Sequence, residues 1–479
     1  MISDNNTNMA EPHIAFLGLG AMGFAMSTHL VRSGFRVTGF DIYQPTLDRW
    51  KQTCSEISKQ SGEEPKFQAT TSCSEAVKSG ANIVILMVAT HYQANAALFE
   101  SGAVKDLPED VPVVLMATVP PTYPGEIRKR FTEEYKRPDI LLVDAPVSGG
   151  VARSQNGTLT IMASSDNSAN LQHPLVKTCI SALSSNGMTL FPIPGTLGAG
   201  TSAKALNQVQ CGIHIVGSSE IMTLAALAGL NTKTLSQMVV QPQSGTCDGL
   251  SKEKFRYGWT WMLSNRAPRM IDPSLPIASA ISIINKDVGI IVDEEARLNV
   301  ELPLLNIANA QLKQCMNSGI ATWDDAYITK FYLDPSLKDE SRMNTVVAQA
   351  KSSAPNTQDT EQAMETVLQA HTLINLMSAY ETVKFAGALG LMSEEQRNMW
   401  FKLIAGAAGG STVFEEVIPI AFSQAKWVDG FKKYARSKIG SSWDLGEVEK
   451  LVEKVKGKNP DFRPVLVEGA IKYIKELLL

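Results

Sequence analysis

The stretch from residue 13 to residue 41 constrains the fold of this chain more than any other. It reads HIAFLGLGAMGFAMSTHLVRSGFRVTGFD. Its apolar runs and helical spacing predict a buried strand, a helix and a second strand, at His13–Leu17, Met22–Ser33 and Val37–Phe40. A strand–helix–strand unit of this length is typical of a parallel sheet covered by helices, so we expect an α/β domain here.

The turn between the first strand and the helix has the spacing GxGxxG, formed by Gly18, Gly20 and Gly23. Such glycines allow a tight turn, let a pyrophosphate approach the backbone and pack the helix against the strand. Asp41 follows at the end of the second strand, where it can accept hydrogen bonds from ribose hydroxyls and would repel a 2′-phosphate. The combination predicts a dinucleotide site that prefers NAD to NADP, lined also by Leu19, Ala21 and Met22. The alternative for Asp41 is a solvated turn aspartate.

Three further segments are each predicted to be a buried parallel strand that runs into a loop: ANIVILMVAT, VPVVLMATVPP and DILLVDAPVSGG, which end at Thr90, Pro121 and Gly150. Ligands bind outside the carboxyl ends of such strands, which makes Val88, Ala89 and Thr118 candidate cofactor contacts. For Thr118, a hydroxyl that satisfies its own turn is the competing interpretation. The last segment ends in Ser148, Gly149 and Gly150, whose N–H groups and hydroxyl could hold a carboxylate, although such glycines are also common in turns.

A long helix is predicted from Gly198 to Leu230, closed by Gly229. Lys204 and Gln208 lie four residues apart near its start and therefore share a face. The helix dipole and burial would both favour a neutral Lys204, which would suit it to proton transfer near neutral pH. The competing interpretation is an ordinary surface lysine. Lys286 and Asp287 fall in the middle of a later helix, where local charge pairing on a solvated face is the alternative to a functional role.

The composition excludes several classes of protein. The chain has 479 residues, a net charge of −4 and evenly mixed charges, so neither a nucleic-acid surface nor a membrane-binding patch is expected. The six cysteines are scattered without metal-ligand spacing, which favours reduced thiols and no metal site. There is no apolar signal segment and no apolar run long enough to span a bilayer, so a cytoplasmic protein is expected.

The C-terminal part of the sequence repeats itself at one offset. LINLMSAYETVKFAGALGL ends at Leu391 and IHIVGSSEIMTLAALAGL ends at Leu230, which is 161 residues earlier. The same offset relates Glu220 to Glu381 and Pro303 to Pro464, without a gap. Lys204 and Lys286, however, are matched by Glu365 and Glu447. We therefore expect a duplicated helical domain whose first copy carries the chemistry and whose second copy is a packing partner.

GLGAMG with Asp41, MATVPP, DAPVSGG with NGTL, the Lys204 helix and NKDVG occur in an order that resembles the β-hydroxyacid dehydrogenases, relatives of 3-hydroxyisobutyrate and 6-phosphogluconate dehydrogenases. The likeness covers roughly residues 14 to 332. TIMASS, KALNQVQCGIHI, WMLSNRAPRM and KDVGIIVDEEARL are similar to the L-threonate dehydrogenase branch, which acts on four-carbon sugar acids.

The resemblance implies roles for individual residues. Lys204 would be the general acid/base, Ser148, Gly149 and Gly150 would bind the substrate carboxylate, and Lys286 would lie over the cofactor. Many members carry an Asn four residues after the lysine, whereas this chain has Gln208 there, with Asn207 just before it; both are candidate substrate contacts. Arg153 also departs from the usual small residue, and would either bind a substrate oxygen or lie at the rim. The stretch Cys247–Gly258 resembles an insertion.

These observations predict an α/β Rossmann-type domain followed by two tandem all-α domains. The expected boundaries are a mobile tail (1–12), the NAD-binding domain (13–195), a catalytic helical domain (196–334), a linker (335–359) and a degenerate helical repeat (360–479). The expected function is NAD-dependent oxidation of a small hydroxy acid, such as L-threonate or a 3-hydroxyisobutyrate-like acid, to its keto acid or semialdehyde. The alternatives are an imine reductase or a non-catalytic dinucleotide-binding scaffold. We expect a monomer that is a pseudo-dimer, or a homodimer.

Overall fold

The computed structural model describes two compact units, Met1–Ala205 and Leu206–Leu479, which we call unit 1 and unit 2. The residues that it describes are 11–62, 64–240, 256–272, 274–333, 358–439 and 442–478. Three expectations fall wholly or largely outside these ranges: the N-terminal tail up to residue 10, the linker up to residue 357, and the Cys247–Gly258 insertion up to residue 255.

Unit 1 is built on a six-stranded sheet in which all adjacent strands are parallel. Its strands are β1 (His13–Leu17), β2 (Arg36–Phe40), β3 (Phe67–Thr70), β4 (Ile83–Leu86), β5 (Pro112–Leu115) and β6 (Leu141–Asp144). Their order in space is β3-β2-β1-β4-β5-β6, which is the order found in sheets that bind dinucleotides where the strand order reverses. The predicted parallel α/β architecture is confirmed.

Helices cover both faces of this sheet. They are α1 (Ala21–Arg32), α2 (Gln44–Ser61), α3 (Cys73–Lys78), α4 (His91–Asn95), α5 (Tyr123–Lys129), α6 (Gly150–Gln155), α7 (Ala169–Gln172) and α8 (Pro174–Ala182). Because side chains alternate along a strand, Ile14 and Phe16 of β1 join one apolar core and Ala15 and Leu17 join the other. The strands are therefore apolar on both faces, as expected for a doubly covered sheet.

A second, three-stranded sheet corrects one expectation. DILLVDAPVSGG is not a single strand that ends at Gly150, because β6 stops at Asp144 and β7 (Val147–Ser148) belongs to a different sheet with β8 (Thr160–Ala163) and β9 (Leu190–Pro192). Pro146, which lies between them, has no N–H to continue the β6 ladder. The candidate carboxylate cradle at Ser148 is thus at the end of β7 and not at the end of a strand of the main sheet.

The long helix α9 spans Ala199–Leu227, close to its predicted bounds, and the boundary between the two units falls within it, after Ala205. Gly229 ends it as predicted, since this residue has a φ of +80° and its N–H donates to the carbonyl of Ala226. The N–H of Leu230 reaches back to the carbonyl of Ala225. These bonds satisfy carbonyl groups that would otherwise lack a helical partner.

Unit 2 is helical in its described residues. After α9 come α10 (Thr232–Val240), α11 (Trp261–Ile271), α12 (Ile281–Leu298), α13 (Pro303–Asn317), α14 (Ile328–Leu333), α15 (Gln358–Ala388), α16 (Glu394–Gly406), α17 (Thr412–Phe422), α18 (Trp427–Lys438), α19 (Leu445–Lys458) and α20 (Val465–Leu478). The predicted break near Pro303 is confirmed, because α12 ends at Leu298 and Pro303 starts α13. Proline is favoured at this position since its missing N–H would have no partner there.

Two buried glutamates connect the helices of unit 2 in the same way. Glu220 of α9 accepts hydrogen bonds from the N–H groups of Leu466 and Val467 in the first turn of α20, at 3.1 and 2.7 Å. Glu381 of α15 accepts from Leu304 and Leu305 in the first turn of α13, at 2.7 and 3.0 Å. Each carboxyl group therefore satisfies two N–H groups that have no partner within their own helix.

Two compositional points can be checked in the part of the chain that the structure describes. None of the helices found there has the length and hydrophobicity that crossing a bilayer requires. The cysteines found there are buried thiols without disulfide partners: Cys54, Cys73, Cys179, Cys211 and Cys315.

Candidate active site

The glycine-rich turn between β1 and α1 has the geometry that its sequence predicts. Gly18 has a φ of +102°, and its N–H donates to the carbonyl of Phe40 at 3.0 Å. A Cβ at Gly23 would lie 2.0 Å from the carbonyl oxygen of Gly18, so only glycine lets the helix approach the turn this closely. Gly20 precedes α1 and is exposed, and a Cβ there would meet no atom within 4 Å. The space in front of the helix N-terminus is therefore open within unit 1.

The other residues of this turn divide into backbone and side-chain contributors. Ala21 is exposed and starts α1, which has no acidic residue in its first turn and no side-chain cap. Leu19 is buried, so its side chain serves packing while its N–H faces Asp41. Met22 is partly buried, and its sulfur accepts a hydrogen bond from the hydroxyl of Ser154 at 3.4 Å. A helix N-terminus without a cap of its own has free N–H groups and a positive dipole end, which suit an anion.

Asp41 is held in place by the turn itself. Its Oδ2 accepts a hydrogen bond from the N–H of Leu19 and its Oδ1 accepts one from the N–H of Tyr43, each at 2.9 Å. The side chain stays partly exposed, so each oxygen keeps acceptor capacity for a ligand. Ile42 and Tyr43, which the sequence reasoning did not single out, expose large apolar surfaces directly after it, at 81% and 63%.

Three predicted cofactor contacts lie at the carboxyl edge of the main sheet, as expected: Val88 and Ala89 follow β4, and Thr118 follows β5. Val88 and Thr118 are partly buried and Ala89 is exposed. The N–H of Ala89 donates to the side-chain oxygen of Gln93 in α4 at 2.8 Å, which fixes this loop against its own helix. The same edge of the sheet therefore carries the glycine turn, Asp41 and these three residues.

The predicted carboxylate cradle is a tight turn between β7 and α6. Ser148 is buried, and Gly149 and Gly150 have φ angles of +139° and +67°, a region that side chains disfavour. Arg153 of α6 is partly buried, and its Nε donates to the carbonyl of Thr158 at 2.7 Å. Burial lowers the pKa of its guanidinium. Arg153 is thus tied to its own loop through one nitrogen.

A buried aspartate that sequence reasoning missed anchors the start of α9. Asp144, the last residue of β6, accepts from the hydroxyl of Thr201 at 2.6 Å and from its N–H at 2.8 Å. Ser164 donates to Asp144 at 3.1 Å and accepts from the N–H of Gly200 at 2.9 Å. Burial raises the pKa of Asp144 to about 6, although these hydrogen bonds oppose the shift. An acidic residue at a strand end was the available signal, and its partner could not be read from sequence.

This anchor fixes the position of Lys204 within unit 1. Lys204 lies one helical turn after Thr201, and three-residue spacing places the two on one side of the helix. Only 5% of Lys204 is exposed, so the interpretation as an ordinary surface lysine is wrong. The first turn of α9 is bonded to the carboxyl end of β6, so the helix that carries Lys204 starts at the edge of the sheet where ligands of such folds bind.

Unit 2 contributes a set of connected polar side chains. Gln208 is 6% exposed, and its Nε2 donates to Oδ2 of Asp287 at 2.6 Å. Asn207 is fully buried, and its Nδ2 donates to Oε1 of Gln208 at 3.1 Å. Nζ of Lys286 lies 2.8 Å from Oδ1 of Asp287, and 29% of the Lys286 side chain is exposed. The local charge pairing that was part of the alternative for Lys286 and Asp287 is therefore present, but the face is not solvated at Asp287, which is buried and also orients Gln208.

Unit 1 fits a dinucleotide on these observations. The open space at Gly20, the uncapped N-terminus of α1 and the anchored carboxylate of Asp41 match the needs of a pyrophosphate and a ribose. No Lys or Arg occurs among the three residues after Asp41, which are Ile42, Tyr43 and Gln44. A cation that could bind a 2′-phosphate is thus lacking in this segment, which favours NAD.

Two family models match the chain in succession. Residues 13–188 match the NAD binding domain of 6-phosphogluconate dehydrogenase. Residues 198–332 match a domain described as the NAD-binding domain of NADP-dependent 3-hydroxyisobutyrate dehydrogenase. Together they cover more than half of the 479 residues, and the second match begins one residue before α9.

Similar proteins agree with these matches. L-threonate dehydrogenase of Cupriavidus necator is 27% identical over 323 residues, which is 67% of this chain and 96% of the relative. The crystal structure of 3-hydroxyisobutyrate dehydrogenase from Salmonella typhimurium is 26% identical, with a TM-score of 0.54 over 67% of this chain and 99% of that one. Plasmodium falciparum 6-phosphogluconate dehydrogenase is 13% identical but aligns with 98% of this chain and 93% of its own, with a TM-score of 0.61. The last likeness shows a shared fold that extends beyond residue 332.

Proposed function

This chain belongs to the β-hydroxyacid dehydrogenase family of NAD-dependent oxidoreductases, and we propose that it interconverts a small hydroxy acid and its keto acid or semialdehyde. The substrate class that we propose is a four-carbon sugar acid such as L-threonate, or a 3-hydroxyisobutyrate-like acid. One observation carries the proposal: a buried lysine lies on a helix whose first turn is bonded to the carboxyl end of β6. A dinucleotide-binding scaffold without chemistry would not need an amine buried there.

In this proposal Lys204 is the catalytic residue. Its neutral Nζ takes the proton of the substrate hydroxyl, and its charged form returns that proton in the reverse reaction. Bound NAD supplies the hydride acceptor at its nicotinamide ring. The two hydrogen bonds that Thr201 donates to Asp144 hold the start of the helix that carries Lys204 in place during this proton transfer. Proton transfer of this kind contributes about 10²–10⁴-fold to the rate of such reactions.

The cofactor is NAD, and we propose that the turn after β1 holds its pyrophosphate. The backbone of the turn and the N-terminus of α1 would supply the contacts: Gly18, Leu19, Gly20, Ala21, Met22 and Gly23. Asp41 would accept hydrogen bonds from the adenosine ribose. Val88, Ala89 and Thr118 would line the same edge of the sheet, and Lys286 is proposed as a further cofactor contact.

The substrate carboxylate is proposed to bind at Ser148, Gly149 and Gly150. The two glycines have positive φ angles and lie directly after the buried Ser148, so the main-chain N–H groups of this turn and the Ser148 hydroxyl are the groups that we propose as donors to the carboxylate. Gln208 would bind a hydroxyl group of the substrate, because an amide offers both a donor and an acceptor. Asn207, the second predicted contact, is fully buried and donates to Gln208, so we propose that it acts through that side chain. Binding the carboxylate at one site and the hydroxyls at another determines which carbon faces the cofactor.

We further propose that the helical part of the chain is a duplication, with domains at 13–195, 196–334 and 360–479. Helices recur at an offset close to 161 residues, because α10, α12 and α13 begin at Thr232, Ile281 and Pro303 while α16, α19 and α20 begin at Glu394, Leu445 and Val465. The matched bonds of Glu220 and Glu381 support the same relation. Such a chain would be a pseudo-dimer with one active site, either alone or as a homodimer.

The test is a substrate screen with the purified full chain. L-threonate and 3-hydroxyisobutyrate are each mixed with NAD or NADP, and NADH or NADPH absorbance is followed. We expect reduction of NAD with at least one acid and little with NADP. Reduction of cyclic imines in place of hydroxy-acid oxidation would identify an imine reductase, and NAD binding without turnover of any acid would identify a scaffold.

A further inference from the structure

We propose that Gly409, in the second helical half of unit 2, is a positioning residue that orients the amide of Gln208 through Asn207. This inference rests on the proposed function, because it assigns Gln208 to the substrate. It extends that function by giving the degenerate half of the chain a part in the active site, where the sequence indicated only a packing partner.

A continuous chain of hydrogen bonds carries the inference. The N–H of Gly409 donates to Oδ1 of Asn207 at 3.0 Å, across 202 residues of sequence. Since that oxygen is occupied, Nδ2 of Asn207 points to Oε1 of Gln208. The other end of the Gln208 amide, Nε2, donates to Asp287. All of these groups lie in unit 2 and all are buried, so water does not compete for their hydrogen bonds.

The two bonds to Gln208 decide which way its amide faces. Asp287, when ionised, offers only acceptors, so it selects the nitrogen of the amide. Nδ2 of Asn207 is a donor, so it selects the oxygen. One N–H of Nε2 and one lone pair of Oε1 remain for a ligand, in fixed directions. A rotated amide would exchange the two and would present the wrong group to a substrate hydroxyl.

The segment that carries Gly409 is itself held firmly. It is the linker from residue 407 to residue 411 between α16 and α17, and it is bonded to the start of α11. Gly410 accepts from the N–H of Trp261 at 2.9 Å, and the N–H of Thr412 donates to Trp259 at 3.4 Å. The N–H of Gly410 also donates to the carbonyl of Ala407 at 3.1 Å. A positioning group is effective only when its own support is rigid, and this linker meets that condition.

Close packing explains why the position is a glycine. A Cβ at Gly409 would lie 2.8 Å from Oδ1 of Asn207, 2.9 Å from its carbonyl oxygen and 2.9 Å from Cβ of Gln210. These neighbours belong to the buried helix α9 and cannot move away easily. Gly406, at the end of α16, offers a matched control, because a Cβ there would meet no atom within 4 Å.

The experiment compares Gly409→Ala with Gly406→Ala in the full-length enzyme. We expect Gly409→Ala to raise the KM for the hydroxy acid about ten-fold with a smaller change in kcat, about the effect of one misplaced hydrogen bond. Affinity for NAD should stay at the wild-type value, and Gly406→Ala should match the wild type throughout. In an Asn207→Ala background, Gly409→Ala should have no further effect on KM, since it acts through Asn207.

A second measurement does not depend on activity. In protein with isotope-labelled glutamine, the side-chain amide signal of Gln208 should shift in Gly409→Ala and stay in place in Gly406→Ala. An active wild type whose KM is unchanged by Gly409→Ala, or equal losses with and without Asn207, would overturn the inference. A wild type that oxidises no acid would overturn the proposed function instead, and the Gln208 signal would then decide the positioning role alone.

Discussion

The two long helices α9 and α15 share their structural residues and differ in their chemical ones. Glu220 and Glu381, which lie 161 residues apart, each satisfy the first turn of a helix. At the same offset Lys204 is matched by Glu365, and Lys286 by Glu447. The buried glutamates that satisfy the start of another helix therefore occur on both helices. The two lysines proposed for proton transfer and cofactor binding occur in the first helical half and are replaced by glutamates in the second.

Gln208 and Gln369 show the same difference at a position where the residue type is kept. Nε2 of Gln208 donates to the carboxylate of Asp287 at 2.6 Å. Nε2 of Gln369 donates to Glu365 at a longer 3.4 Å, and its Oε1 accepts from the N–H of Asp444 at 3.1 Å. Gln369 therefore helps to hold the start of α19, and the same side chain serves packing in one helix and an oriented polar site in the other.

The largest effect is expected when the charged residue at each of two matched positions is replaced by alanine. Lys204→Ala should lower kcat about 10³-fold, because the group that takes the hydroxyl proton is removed. Glu365→Ala, its counterpart on α15, should keep kcat within about two-fold, since no chemistry is assigned to it. Steady-state kinetics with the best acid from the screen, together with NAD titration, would measure both.

The controls for this pair are binding and folding. Both variants should bind NAD with the affinity of the wild type and melt cooperatively near its temperature. If Lys204→Ala keeps its activity, the lysine has no part in the mechanism. If Glu365→Ala loses as much as Lys204→Ala, the second helix is not chemically silent and the comparison fails.

The pH dependence of stability tests whether Glu220 and Glu381 have equivalent structural roles. Burial raises the pKa of both Glu220 and Glu381 to about 8, with the bonds from backbone N–H groups opposing the shift. Because the pKa is raised in the folded state, this contribution to stability is complete below the ordinary pKa of glutamate and is lost as the pH rises through about 8. Between these limits each carboxyl group should lower the free energy of unfolding by about 1.4 kcal/mol per pH unit.

Denaturant unfolding of Glu220→Gln and Glu381→Gln from pH 5 to pH 8 would measure that slope. Each variant should reduce the slope of the free energy of unfolding against pH, and the two reductions should be similar if the two glutamates have equivalent roles. Glu395→Gln, at an exposed residue of α16, controls for the loss of one negative charge. A slope that is unchanged in one of the two buried variants would break the equivalence.

Features that depend on neighbouring residues were predicted well from the sequence, and features that depend on distant residues were not. The strand from His13 to Leu17, the glycine turn and the close of α9 at Gly229 each depend on neighbouring residues, so the sequence contains the signal. The change from the first sheet to the second at Pro146 was not predicted, because an apolar run has the same sequence pattern whichever sheet it belongs to. The contact of Asn207 with Gly409 joins residues 202 positions apart, and no periodicity or motif indicates such a pair.

The smallest expected effect belongs to the two glutamines. Gln208→Ala should raise the KM for the hydroxy acid about ten-fold, because it removes one oriented amide and leaves Asp287 without that donor. Gln369→Ala should leave KM unchanged and lower only the melting temperature, since its partners lie at the start of α19. Kinetics and thermal melts of both variants would separate binding from packing. A rise in KM for Gln369→Ala would contradict its assignment to packing. A loss of stability without a change in KM for Gln208→Ala would contradict its assignment to substrate binding.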